Sequence, residues 1–548
     1  MIQRYMGVLA GVLLLIAPAF AQSDPVAGMS LEHKVAQMFM ITLHGSQMTQ
    51  VGAEFLREWQ PGGVVLFGAN MGTPDAVTRL TNDFQSTITA AGGPPLLIAT
   101  DQEGGVVARL TDGFTVFPAP LVTTAAGDEM AFRVGQAVAE ELSGVGINMN
   151  LAPVADLETN TRNPIIRRRS YGSHPAVVGR AVSQVVLGTQ SMNVLATVKH
   201  FPGHGETDQD SHGTLMRMDL TRERLDALEI VPFRAAIEVG VAAVMVAHIW
   251  FPALDEVRRP ATLSPEVVTG LLREELGFEG LIITDAMDMN AVDMEVYFAD
   301  SMVQAVQAGV DMMTLGPSFG LTIAEQSIQA VVDAVRRGDI SEARIDESVR
   351  RILAAKERFG VMDWQPLDPV RAGERVNAEA HSALIDDLFR AAVTVAYDRF
   401  DYIPLQPDRN IAIVFLGTRY QIQNECQQYN PNIRWLSVSD SPTEEQISWA
   451  RQIAQESDVT VVWTQDAIST VEQQDLVNAL PPEKTVAVAL WSPYDWQTYP
   501  RVSAYVATYS PAREAVPAAC AVLFGAIPAN GQLPVTLSLE LQAGTRGS

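Results

Sequence analysis

Eight short apolar runs, separated by amphipathic stretches, constrain this chain more than any other feature. They occupy residues 38–43, 63–67, 95–100, 148–153, 194–198, 243–247, 281–284 and 311–315. Most are apolar throughout, without the alternating polarity of a strand that faces water on one side. Such strands are covered on both faces. Their alternation with helical patterns, such as 129–143 and 225–238, implies a parallel sheet wrapped by helices. Eight strand–helix units are the number that closes a (β/α)8 barrel, and amphipathic stretches at 321–337 and 341–359 supply its last helices.

Polar residues stand directly after these runs, and a barrel would gather them around one mouth. The third run ends in Asp101-Gln102-Glu103-Gly104-Gly105, the fourth in Pro153 and Asp156, the sixth at His248 and the seventh at Asp285. The fifth leads into Lys199-His200-Phe201-Pro202-Gly203-His204-Gly205, followed by Glu206, Asp208, Asp210, Ser211 and His212. The Pro-Gly pair and second Gly make this a turn-rich loop, not a helix. A solvated loop is the plain alternative, but Asp210 and His212 stand two apart, which puts both side chains on one side of an extended chain. A carboxylate beside an imidazole fixes its tautomer and stabilises its protonated form, as a proton-transfer group requires. Zinc held by His200, His204 and His212 is the competing reading, and their spacing fits no common zinc pattern.

Past residue 361 the pattern breaks, and 362–377, with two prolines, reads as a linker. Alternation returns with a helix at 378–397 and strands at 411–416, 434–438, 459–463, 485–490 and 504–508. The expected architecture is therefore a barrel over 25–361 followed by a smaller α/β sandwich-type domain over 378–548.

The formal net charge of −26 argues against nucleic acid or an anionic membrane surface as partner. Arg4, the apolar stretch 8–17 and Ala19-Phe20-Ala21 read as a cleaved export signal over 1–21, with no membrane span after cleavage. The expected location is periplasmic or secreted. Cys426 and Cys520 are the two cysteines, and an oxidising compartment would permit them to pair.

Asp285 follows the apolar Leu281-Ile282-Ile283-Thr284, which delivers a carboxylate to the barrel mouth. Facing a His/Asp pair, it suits a two-step glycosyl transfer in which one group attacks the anomeric carbon and the other protonates the leaving oxygen. Asp285 or Asp288 as a helix cap is the rival reading. Asp101 reads either as a carboxylate accepting sugar hydroxyls or as a cap. Arg167-Arg168-Arg169 reads as a solvated patch unless one member turns inward. Lys199 and His200 sit where a long donor reaches the mouth, and His248 reads as a packing residue.

Together the motifs Asp101–Gly105, Asn150-Leu151-Ala152-Pro153-Val154-Ala155-Asp156, Arg169-Ser170-Tyr171-Gly172, Lys199–Gly205 with Asp210-Ser211-His212, and Ile283-Thr284-Asp285-Ala286-Met287-Asp288-Met289 resemble glycoside hydrolase family 3. Within it they look like the bacterial β-N-acetylglucosaminidase branch. The stretch 523–536 is similar to the end of the family's second domain. The resemblance implies a retaining exo-β-N-acetylglucosaminidase with no metal and no cofactor. It would remove terminal β-linked N-acetylglucosamine from peptidoglycan fragments or chitin-type oligosaccharides. It also implies Asp285 as nucleophile, His212 as acid/base with Asp210 as its partner, and Asp101, Arg169, Lys199 and His200 as residues that hold the sugar. Two positions depart from the pattern: Val106 stands where the family commonly has Arg, with Arg109 available nearby, and Arg167 replaces a usual Gly. A β-glucosidase, a phosphorylase and a catalytically inactive carbohydrate-binding protein are the alternatives.

Overall fold

The computed structural model describes residues 25–207, 215–289 and 298–546. Asp210 and His212 lie outside the described residues, as does the expected export signal.

All eight apolar runs become parallel strands: β1 Phe39–Ile41, β2 Gly63–Leu66, β3 Leu97–Thr100, β4 Met149–Asn150, β5 Leu195–Phe201, β6 Ala243–Val246, β7 Leu281–Ala286 and β8 Met312–Thr314. Each pairs with the next, and β8 pairs back onto β1, so the sheet closes into a barrel. Closure removes the exposed edges that a parallel sheet would otherwise present. It also explains the composition, because every residue of β1, β2, β3 and β6 is buried between barrel interior and helices. Only β7 ends with partly exposed residues, Asp285 and Ala286, at the mouth.

The helices Leu321–Arg337 and Glu342–Arg358 match the amphipathic stretches closely. Ser341 caps the second by accepting a hydrogen bond from the Arg344 amide. The stretch 225–238, expected as one helix, is two: Arg222–Ala227 and Val231–Glu238. Pro232 cannot donate within a continuous helix and instead starts the second piece. The expected linker is strapped to the barrel, since Asn82 exchanges two hydrogen bonds with the Leu367 backbone and Arg375 donates to the Gly144 carbonyl.

The second domain is a six-stranded sheet of β9 Thr394–Asp398, β10 Ile411–Leu416, β11 Arg434–Val438, β12 Val459–Thr464, β13 Thr485–Ala489 and β14 Ala504–Ala507, in the order β9-β14-β13-β12-β10-β11. β9 is antiparallel to β14 and corrects the expected helix over 378–397, which stops at Ala392. Val393-Thr394-Val395 explains the stop: β-branched side chains favour a strand, and pairing with β14 satisfies their backbone. Cys426 and Cys520 form a disulfide between helices Gln421–Cys426 and Ala515–Leu523. His381, on the helix Ala378–Ala392, places Nδ1 2.7 Å from Glu141 and Nε2 3.4 Å from Glu140, both on the barrel helix Asp128–Gly144.

Lys356 is fully buried at the foot of the barrel, where its Nζ donates to Gln37 Oε1 at 2.9 Å. Burial pushes its ammonium down to about 7. A lysine lowered in the folded state binds fewer protons there than in the unfolded chain, so stability should rise as pH increases from about 7 to about 10.5. Lys356→Met should therefore raise the melting temperature at pH 7 by a few degrees, with the gain over wild type shrinking towards pH 10. Thermal unfolding followed by circular dichroism at both pH values checks this.

Candidate active site

The sequence Leu-Ile-Ile-Thr makes β7 a buried strand, held between β6 and β8. Its register against β8 shifts between Ile283 and Ala286, a local irregularity of the kind that re-aims side chains. Asp285 sits within that shift, and its Oδ1 accepts a hydrogen bond from the Ala286 amide at 2.7 Å. Burial alone would raise the Asp285 carboxyl. The His200 and His248 imidazoles, the Ala286 amide and the Lys199 ammonium outweigh burial and hold it below the ordinary aspartate value. His248, buried at the end of β6, spans Thr262 Oγ1 at 2.5 Å and the Ala286 carbonyl at 3.1 Å. It is thus a packing residue that also supports the turn carrying Asp285.

Facing this strand end is a network of buried charge. Lys199 Nζ, on β5, lies 2.7 Å from Asp101 Oδ1 and 2.7 Å from Glu103 Oε1. Arg169 grips Glu103 with both Nε and Nη2 at 2.8 Å, a bidentate fork. Arg109 Nη2 stands 3.5 Å from Asp101 Oδ2. Burial would raise Glu103, but Lys199 and Arg169 override it and hold the carboxyl at about 2. Burial likewise disfavours the Lys199 ammonium, and Asp101 with Glu103 raises it above its ordinary value.

Asp156 organises the imidazoles. Its Oδ2 lies 2.7 Å from His200 Nδ1, and its Oδ1 accepts from the His204 amide at 2.7 Å. Burial would raise this carboxyl, and His200 and His204 bring it below its ordinary range. A carboxylate at Nδ1 places the proton there, so His200 Nε2 accepts from Arg169 Nη2, 3.4 Å away. His204 packs edge-on to His200, with ring centroids 5.7 Å apart. Burial and neighbouring His200 push its imidazole down to about 4, which keeps it neutral at physiological pH.

One cavity of about 610 Å³ is lined by Asp101, Glu103, Arg109, Arg169, Lys199, His200, Asp285 and Asp288, with Phe67, Val107, Met289 and Pro317 as apolar wall. Every sugar-site candidate taken from the sequence lies in it, together with Asp285; Asp210 and His212 are not described. Asp288 Oδ2 accepts from the Ser318 amide at 2.8 Å, tying the turn after β7 to the loop after β8. The arginine run is no solvated patch: Arg169 turns into the cavity, while Arg167 and Arg168 turn to Asp466 of the second domain. Glu103 and Asp156 appear in the sequence as polar residues past the third and fourth runs, with no site role of their own. Both stand in polar stretches that follow β3 and β4, but nothing local sets them above their polar neighbours.

A model of the glycosyl hydrolase family 3 N-terminal domain matches residues 30–355. A glycoside hydrolase family 3 β-N-acetylglucosaminidase from Paenibacillus shares 34% identity and superposes with a TM-score of 0.79, covering 93% of this chain and 99% of that one. A β-hexosaminidase A from Pseudoalteromonas piscicida is 27% identical over 89% of this chain and 91% of its own length. A β-N-acetylglucosaminidase/β-glucosidase from Cellulomonas fimi is 26% identical over 93% of this chain and 94% of its own length. With a matched family domain spanning the barrel, and relatives that extend through the second domain, the chain belongs to glycosyl hydrolase family 3 and is a glycoside hydrolase.

Proposed function

We propose that the protein is a retaining exo-acting β-N-acetylglucosaminidase in which Asp285 is the nucleophile. The carrying observation is a lowered, partly exposed carboxylate at a strand end that shares one cavity with Asp101, Arg169, Lys199 and His200. A nucleophilic carboxylate must be ionised when substrate binds, and the cationic surroundings of Asp285 favour that state. Asp101, with one oxygen on Lys199, accepts from sugar hydroxyls, while Lys199, Arg169 and Arg109 supply donors and His200 lines the same wall of the cavity. The cavity suits a terminal sugar ring, since a few oriented polar groups stand against an apolar wall.

In the first step Asp285 attacks C1 and the glycosidic bond breaks as His212 gives a proton to the leaving oxygen. In the second, neutral His212 takes a proton from water, which attacks C1 and releases the sugar from Asp285. Asp210 holds the imidazole of His212 in the required tautomer. The motif around His212 and the named activities of the relatives support this assignment. The substrate class is terminal N-acetylglucosamine of peptidoglycan fragments or chitin-type oligosaccharides. The signal-like segment 1–21 and the Cys426–Cys520 disulfide support export to an oxidising compartment. A second reading, with β-glucoside cleavage alongside, is favoured by the dual name of the Cellulomonas relative.

Asp285→Ala should abolish release of p-nitrophenol from the β-N-acetylglucosaminide, and a slowly turned-over fluoroglycoside should leave its sugar on the Asp285 peptide. Near-native turnover by that variant would remove Asp285 from the mechanism. His212→Ala should lower kcat by about 10²–10⁴-fold, the usual contribution of a positioned acid/base, and a smaller loss would point to another proton donor. Because the Asp285 carboxyl is held low, the acid limb of kcat/KM that it causes should fall below about pH 3.9. Wild-type enzyme assayed on paired β-N-acetylglucosaminide and β-glucoside substrates, with and without phosphate, separates hydrolysis from phosphorolysis and ranks the two sugars.

A further inference from the structure

Among the described residues that line the cavity, all come from the barrel, yet the loop that carries Arg169 is clasped by the second domain. Arg167 Nη2 meets Asp466 Oδ1 at 2.7 Å, and Arg168 Nη2 lies 3.9 Å from Asp466 Oδ2. The Arg168 guanidinium also stacks on Trp491, 3.6 Å from the ring centroid. Asp466 has a left-handed backbone, with φ 57° and ψ 44°, a conformation that Asp adopts more readily than most residues. Asp495 secures the following turn by accepting from the Ile468 amide at 3.0 Å and from Thr464 Oγ1 at 2.9 Å. The acceptor for the two arginines is thus a fixed seat on the second sheet, not a loose surface carboxylate.

On its other side the same loop is tied to the barrel mouth. Asn163 donates to the His204 and Gly205 carbonyls, and its Oδ1 accepts from the Ile165 and Ile166 amides. The Arg169 amide bonds back to the Ile166 carbonyl at 2.6 Å. Beyond it, Gly172 allows the second domain to approach closely, because a Cβ there would stand 2.2 Å from the Pro534 carbonyl oxygen. Three consecutive arginines repel one another and could exchange roles. Asp466 and Trp491 take the first two and leave the third directed at Glu103 and His200.

We propose that Asp466 and Trp491 of the second domain are positioning residues for the sugar site, acting through Arg167 and Arg168 to aim Arg169. This rests on the reading of Arg169 as a residue that holds the sugar. Loss of the clasp should weaken a contact made equally in the ground and transition states, which raises KM and spares kcat. Asp466→Ala and Trp491→Ala should each raise KM for the p-nitrophenyl β-N-acetylglucosaminide roughly tenfold, within the loss expected when a distant change misplaces a binding group. Their kcat should stay within about twofold of wild type. Arg167→Ala, approached from the barrel side, should reproduce the Asp466→Ala effect, and the double variant should be no worse than either single one, as for two residues acting through one contact. Asp466→Glu should recover part of the lost affinity. If Arg169→Ala raises KM while Asp466→Ala, Trp491→Ala and Arg167→Ala keep the wild-type value, the clasp is interdomain adhesion only and the proposal falls. If Arg169→Ala itself leaves KM unchanged, the sugar-holding role of Arg169 falls instead. Melting temperatures measured alongside separate both outcomes from simple loss of fold, since a purely structural contact would lower stability without moving KM.

Discussion

Lys199 is the group on which the rest of this site depends. An ammonium removed from water is tolerated only with close carboxylates, and Asp101 and Glu103 both stand 2.7 Å from it. Glu103 in turn needs a second cation, which Arg169 provides with a two-pronged grip. The four charges bring together β5, the residues after β3 and the loop after β4. Deleting one member leaves the others buried and unbalanced, at a cost of about 3–5 kcal/mol. The network therefore fixes the relative placement of three barrel segments as well as presenting polar groups to a ligand.

Asp156 does for the imidazoles what Glu103 does for the cations. By taking the Nδ1 side of His200 it turns the other ring nitrogen to Arg169 and the cavity. The two networks meet at that contact, so the orientation of His200 and the aim of Arg169 are set together. Asp285 experiences the result as a cationic surrounding that overcomes its burial. These neighbours, with the Ala286 amide that donates to one of its oxygens, favour the ionised form of the buried carboxyl.

The two domains are joined at several chemically different places. His381 reaches Glu140 and Glu141, Tyr494 approaches the Glu158 carbonyl at 3.5 Å, the Ser173 amide donates to the Pro534 carbonyl, and the Thr536 amide donates to Ser173 Oγ. Arg167 and Arg168 add the clasp on Asp466 and Trp491. The sequence departure at Arg167, where the family usually has Gly, thus has a physical partner in the second domain. The barrel mouth is built on one domain and braced by the other.

How much of this was legible in the sequence depends on the range of the forces involved. The eight buried strands, their helices and the delivery of Asp101, Lys199, His200 and Asp285 to strand ends follow from local apolar patterning, which acts over a few residues. The helix expected over 378–397 failed because pairing of β9 with the distant β14 outweighed local periodicity, and Pro232 split another helix that periodicity had joined. Glu103 and Asp156 acquire their importance only from partners 66 to 96 and 44 residues away, so no local pattern could rank them. The direction of each arginine in Arg167–Arg169 was equally beyond sequence, because it depends on which charges the two domains bring within reach. By itself the sequence determined which residues sit inside and which strand ends carry chemistry, since burial and alternation are properties of neighbours. Only the tertiary structure decided which charges neutralise one another, because Coulomb and hydrogen-bond partners are chosen by distance in space.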